Sequence, residues 1–379
     1  MASEEGHLQV AQFLIECCAN VAAQDKDGFT PLHEASFNGH LEVMEFLVKQ
    51  GMDATTQNKN GLTALCLASE EGHLQVAQFL VERSADVTAQ DKDGCTPLHE
   101  ASSKGHLKVT EFLVEQGMDA TTQNKDGLIA LFSASGGGHL QVAQFLVECS
   151  ADATAKDKDG WTPLHHVSKK GHLEVTNFLV EQGTDMTTQA KDGKTALFLA
   201  LGRGHLQVVW FLVEHSADAT AQDKDGWTPL HQVSFKGHLE VAKFLVKQGM
   251  DMTTQAKDGL TALCLALEGG HLQVAQFLVE RSADVTAQDK DGCTPLHDAS
   301  FKGHLKVAKF LVEQGTDMTT QAKDGLTALF LASCGRGTFT SCTVSCRAGR
   351  GCNNPKQGWA DCLIFGFGRG TFTSCTVPC

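Results

Sequence analysis

The chain has 379 residues, a formal net charge of −14, 14 Cys, 37 Gly, 7 Pro and no Tyr. The acidic balance argues against a nucleic-acid backbone as the main partner. No run of 18 apolar residues marks a membrane span, and no basic segment followed by an apolar stretch marks a secretory signal. Length alone suggests two or three domains at roughly 150 residues each, but internal periodicity overrides that prior. Gly-His-Leu occurs ten times, with its Gly at 6, 39, 72, 105, 138, 171, 204, 237, 270 and 303, always 33 residues apart. A single globular core does not produce such a ladder.

The elements follow in chain order from that period. A half unit, second helix only, precedes Asp25. The first full unit runs from Asp25 to Gln57. Thr30-Pro31-Leu32-His33 starts a helix: Thr30 suits an N-cap, and Pro31 suits the first turn because its missing N–H would be unpaired there. Leu32 and Ala35 share one face. Gly39 breaks the chain, Leu41, Val43, Phe46 and Leu47 supply the apolar positions of a second helix, and Gly51 stands where a left-handed C-cap is expected. Thr55 to Gly61 is polar and turn-like. Nine such units reach Gln321, and a half unit with a first helix only follows.

The words Asp-x-x-Gly-x-Thr-Pro-Leu-His-x-Ala and Gly-His-Leu-x-Val-x-x-Phe-Leu, with a terminal Gly-x-Asp, make residues 1–333 resemble the ankyrin repeat. The resemblance implies an all-α solenoid of stacked helix-turn-helix units with projecting loops. It also implies a non-enzymatic scaffold that binds a protein partner through the loops and first helices, with no cofactor.

A deeper period of 66 residues sorts the units into two classes. Thr-Pro-Leu-His starts at 30, 96, 162, 228 and 294, whereas Thr63-Ala64-Leu65-Cys66, Ile129-Ala130-Leu131-Phe132, Thr195-Ala196-Leu197-Phe198, Thr261-Ala262-Leu263-Cys264 and Thr327-Ala328-Leu329-Phe330 replace it in the others. The first class carries Gly at the second helix's C-cap (51, 117, 183, 249, 315); the second has Ser84, Ser150, Ser216 and Ser282 there. Each lost Pro or left-handed Gly costs on the order of 0.5–1 kcal/mol, so stronger and weaker units alternate and the weaker ones lean on their neighbours.

Residues 334–379 form a separate tail without an apolar helical period. It holds seven of the 14 Cys and repeats Gly-Arg-Gly-Thr-Phe-Thr-Ser-Cys-Thr-Val at 335 and 368, again 33 residues apart. A repeated DNA keeps its stride in any frame. Reading Asn354 to Cys362 one base later permits Thr-Gln-Asn-Lys-Asp-Gly-Leu-Thr-Ala, nearly the text of Thr56 to Ala64. The tail therefore reads as a frame-shifted repeat, expected to be disordered, and its cysteines as shifted codons rather than zinc ligands or disulfides. It carries five basic side chains and one acidic one, which leaves 26 basic and 44 acidic in residues 1–333. The chain starts mid-repeat, which suggests a fragment of a longer array. A piece of a larger signalling or enzymatic protein, or a truncated gene product, is thus the alternative to a free-standing scaffold. The array is expected to be monomeric, with end-to-end association through its uncapped ends as the alternative.

Sixteen of the 17 His fall in Gly-His-Leu or in and beside Thr-Pro-Leu-His. Packed helices stand about 8–10 Å apart, so equivalent His cannot share a metal ion, and local hydrogen bonds between loops and helices are the expected role. Asp25-Lys26-Asp27-Gly28 resembles the start of a calcium loop, but the twelfth position is Ser36 rather than Glu. No phosphate loop and no unique Ser, His and Asp cluster appears, so no catalytic or metal site is assigned. Partner binding needs positions that vary on a fixed unit. Comparison of the copies gives Phe29, Glu34, Phe37, Glu100, Lys104, Trp161, His166, Lys169, Trp227, Gln232, Phe235, Asp298 and Phe301, with Trp161 and Trp227 as aromatic anchors. Sparse, scattered Cys in the array fit a reducing compartment, cytoplasm or nucleus.

Overall fold

The structure, a computed structural model, describes residues 7–334. Among the described residues it holds 20 α-helices and no strand beyond an isolated bridge between Gln321 and Thr327. The described residues divide into two compact units, one ending at Asp284 and the other beginning at Val285. In the first, seven- or eight-residue inner helices alternate with nine-residue outer helices, from Leu8–Glu16 through Pro31–Phe37 and Leu41–Lys49 to Ala262–Glu268 and Leu272–Glu280. Each inner helix packs on the next inner helix and on its own outer helix. In the second unit, Pro295–Lys302 packs on Leu305–Glu313 and on Ala328–Cys334. The shifted-frame reading of the tail and its expected disorder concern residues outside the described ones, apart from Cys334, which ends the last helix.

Local chemistry sets the alternation. Thr30 is extended (φ −103°, ψ 165°) and its hydroxyl accepts from the His33 backbone N–H, with Pro31 in the first turn. Thr63, without a following Pro, adopts nearly the same angles (φ −96°, ψ 167°) and caps Cys66 in the same way. Each outer helix buries one stripe, as Val76, Ala77 and Leu80 do, against the inner-helix residues Leu65 and Ala68. That periodicity is an amphipathic helix closing on one core.

The C-terminal turns show the two classes directly. Gly51, Gly117, Gly183 and Gly249 are left-handed, and at the equivalent place Ser84, Ser150, Ser216 and Ser282 are held at φ of 63° to 71°. A side chain in that region costs on the order of 1 kcal/mol or more. The second class places apolar side chains at the third helical position, Cys66 and Cys264 in two units and phenylalanines in two others. Phe132 and Phe198, fully buried, stand where the first class has a His.

Candidate functional site

The framework histidines act between units rather than within them. The backbone N–H of Thr30 donates to His33 Nδ1 (3.1 Å), so Nε2 carries the proton and donates to the Leu62 carbonyl (3.1 Å) in the next unit's hairpin. His99 reaches the Leu128 carbonyl, His165 that of Lys194 and His231 that of Leu260 in the same way, and within residues 285–334 His297 reaches that of Leu326. Burial lowers the pKa of His33, His99, His165 and His231, which keeps them neutral at pH 7. The Gly-His-Leu histidines bridge units too. His73 donates to the Phe37 carbonyl (3.0 Å), and His139, His172, His205 and His271 reach the carbonyls of Ser103, Gly136, Lys169 and Phe235. They satisfy carbonyls that helix C-termini leave unpaired. The ring lies where a side chain on the preceding Gly would stand: a Cβ on Gly39 would come within 2.7 Å of His73. The hydrogen bonds expected of these histidines are therefore present, and they span 29 or 36 residues where the sequence suggested local ones.

The hairpins use their carboxylates internally. Asp25 Oδ1 accepts from the backbone N–H groups of Asp27 and Phe29, both at 2.8 Å, which is the work a calcium loop would reserve for an ion. Successive hairpins join through the backbone, as in Lys59 N–H to the Asp27 carbonyl and Lys92 N–H to that of Asn60.

On this frame the varied positions gather at the hairpin ends and on the exposed side of the inner helices. Phe29 sits edge-on to His33 at 5.7 Å, Glu34 is half-buried on the same helix, and Phe37 is exposed at that helix's end. Trp161 is half-buried. It meets the edge of His166 at 5.2 Å, lies over His165, and carries the Lys169 ammonium 4.6 Å from its ring centre. His166 donates to Asp157 Oδ2 (3.2 Å) and packs edge-on to Phe132; burial holds its pKa down despite the carboxylate. Trp227 meets Phe235 at 5.4 Å, with the Lys236 ammonium over the Phe235 ring. Gln232 is half-buried between them along the chain. The two tryptophans thus stand on side chains of their own units. In residues 285–334, Phe301 is half-buried, whereas Asp298 is only 6 % exposed and presents little surface.

Glu100 and Lys104 stand in a different setting. Lys104 pairs with Glu70 of the preceding unit at 3.1 Å. Glu100 shares a pocket with Asp91 and Cys95, their ligand atoms all within 4.8 Å of one another, a grouping that sequence spacing did not reveal. Burial, with the charges of Glu70 and Asp91, pushes the Glu100 carboxyl up to about 7, and burial raises the Cys95 thiol. The signal that would have pointed to it is the substitution pattern. The residue after Leu-His faces the hairpin's first Asp, and His166 satisfies that Asp where Glu100 repels it.

These features define a class: a stack of helix pairs with projecting hairpins, a fixed buried frame and a varied surface. A family model described as ankyrin repeats matches residues 1–58, 51–124, 117–190, 182–256 and 250–322, and the chain belongs to the ankyrin-repeat family. No curated protein matches the chain. Ankyrin repeats are generally protein–protein interaction modules and typically non-enzymatic. No helix among the described residues is long and apolar enough to cross a membrane.

Proposed function

We propose that the chain is a non-enzymatic scaffold that captures a protein partner on the hairpin ends and the exposed side of its inner helices, in an intracellular reducing compartment. One observation carries the reading. Many of the residues repeated from copy to copy are spent on buried caps and inter-unit hydrogen bonds, while those that differ, Trp161, His166, Lys169, Trp227, Gln232 and Phe235 foremost, are each half-buried at a hairpin end or on an inner helix. Half-exposed tryptophans backed by rigid neighbours are the side chains that dominate interface energies. Cys17, Cys18, Cys66, Cys95, Cys149, Cys264 and Cys293 form no disulfide, which fits the compartment.

The test compares the wild type with a Trp161→Ala/Trp227→Ala variant in quantitative crosslinking capture, after circular dichroism has shown equal helix content. Partner recovery should fall at least tenfold, since each anchor is worth on the order of 1–2 kcal/mol or more. Undiminished recovery of the same partner would show that this surface is not the binding face.

A further inference from the structure

The stretch from Trp161 to Lys236 differs in charge from the rest of this acidic array. Its inner helices, Pro163–Lys170, Ala196–Arg203 and Pro229–Lys236, carry Lys169, Lys170, Arg203 and Lys236 near their C-terminal ends. None of these four cations makes an ion pair among the described residues. Several acids in or beside the stretch are already engaged. Asp157 accepts from the N–H groups of Asp159 and Trp161 and from His166, Asp192 pairs with Lys194 at 2.9 Å, and Asp223 accepts from the N–H groups of Asp225 and Trp227. Earlier in the stack the same helical positions offer no unpaired cation: Phe37 and Asn38, and Gly136 and Gly137, are uncharged, Glu70 and Glu71 are acidic, and Lys104 is tied to Glu70.

Shape follows the 66-residue period as well. Lys169 and Lys170 form one ridge, Phe235 and Lys236 the next. Before the first ridge Gly136 leaves open space, with nothing within 4 Å of where its Cβ would be. Between the ridges Gly202 lets the Gln232 amide lie 2.5 Å from its own missing Cβ, so a hydrogen-bonding group forms the floor. The ridges are two units apart, about 16–20 Å at ordinary helix spacing. Five or six residues of extended chain cover that distance at about 3.3–3.6 Å each.

We propose that the inner-helix ends between Trp161 and Lys236 receive an extended acidic segment of the partner protein. Its carboxylates, five or six residues apart, sit on the Lys169–Lys170 and Lys236 ridges, and an apolar side chain between them lies against the aromatic rings. Arg203 adds a cation midway, and the Gln232 amide meets the segment's backbone. The inference rests on the reading of this face as the binding surface and adds the chemistry of what binds.

The probe is a fluorescein-labelled peptide with two Glu-Glu pairs whose first members are six residues apart and a Leu between them, followed by fluorescence anisotropy. It should bind saturably below about 100 µM and lose at least tenfold in affinity on Lys169→Glu/Lys170→Glu/Arg203→Glu/Lys236→Glu. The same number of reversals on outer helices, Lys49→Glu/Lys108→Glu/Lys243→Glu/Lys247→Glu, should leave affinity within about twofold and so control for net charge. A peptide with Lys in place of Glu should not bind. No saturable binding, equal loss in both variants, or equal binding of the Lys peptide overturns the proposal. So does tighter binding of a single-stranded oligonucleotide of equal charge with the same variant sensitivity, which would assign the surface to nucleic acid. If the tryptophan variant loses partner capture and the inner-face reversal does not, the binding surface stands and its acidic ligand falls.

Discussion

Acidification should loosen the array from inside, through histidines that no solvent reaches. His33, His99, His165 and His231 are 1–2 % exposed, and burial holds each pKa below the ordinary 6.5. Above pH 6.5 each is neutral both folded and unfolded, and its contribution is complete. Below 6.5 the unfolded chain takes up a proton that the folded one refuses, because Nδ1 already accepts from a backbone N–H. Stability is then lost as pH falls, by up to about 1.4 kcal/mol per pH unit for each histidine. Unfolding that exposes all four together would show a slope of up to about 5.6 kcal/mol per pH unit from them; unit-by-unit unfolding would show up to about 1.4 in each. Glu100 works in the opposite direction. Its folded value of about 7 lies above the ordinary 4.5, so acidification from pH 7 relieves its repulsion and partly protects its own unit. Its partial exposure trims that protection. Urea titrations by circular dichroism at pH 7.5, 6.5 and 5.5 measure the slope, and His231→Gln should remove up to about 1.4 kcal/mol per pH unit of it. A flat profile, or stability that rises below pH 6.5, would refute the reasoning.

Restoring the stronger chemistry to a weaker unit should stabilise it. Ala64→Pro fits because Thr63 already has the extended angles of Thr30 before Pro31, and Ser84→Gly relieves a side chain held at φ 63°. Together they should raise the melting temperature, with a gain on the order of 1 kcal/mol; no rise in differential scanning calorimetry would contradict the assignment of strong and weak units. Ser168 is fully buried with its hydroxyl unpaired, and Leu201 occupies the same place one unit on, also fully buried. Ser168→Ala should therefore leave stability unchanged or raise it by up to about 1 kcal/mol, and a loss above 1 kcal/mol in a urea titration would reveal a hydrogen bond at that hydroxyl.

The stride, helix starts and left-handed serines were legible because each leaves a residue-level mark every 33 or 66 positions. Thr30 and Pro31 announce a cap, and Ser84 stands where other units place Gly. The reach of the histidines was not legible. Their acceptors are backbone carbonyls, which every residue possesses, so Leu62 and Lys194 serve equally and nothing in the sequence singles them out. The Asp91–Cys95–Glu100 grouping stayed hidden for a related reason. It depends on a hairpin folding over the helix that follows it, and residues four to nine apart acquire their proximity only from that turn. Among the positions that vary between copies, Asp298 looked as free to vary as Glu100, but how deeply it lies depends on local packing that repeat comparison cannot see.

The backbone nature of those acceptors separates two kinds of inheritance. A histidine that grips a carbonyl will grip whichever unit follows it, so gain or loss of a 33-residue copy leaves every junction chemically valid. The ridges at Lys169 and Lys236 have no such indifference: one copy inserted between them lengthens their separation by a whole helix spacing and puts a bound segment out of step. Copy number in such an array can drift without harm to folding and still be under selection for what it holds.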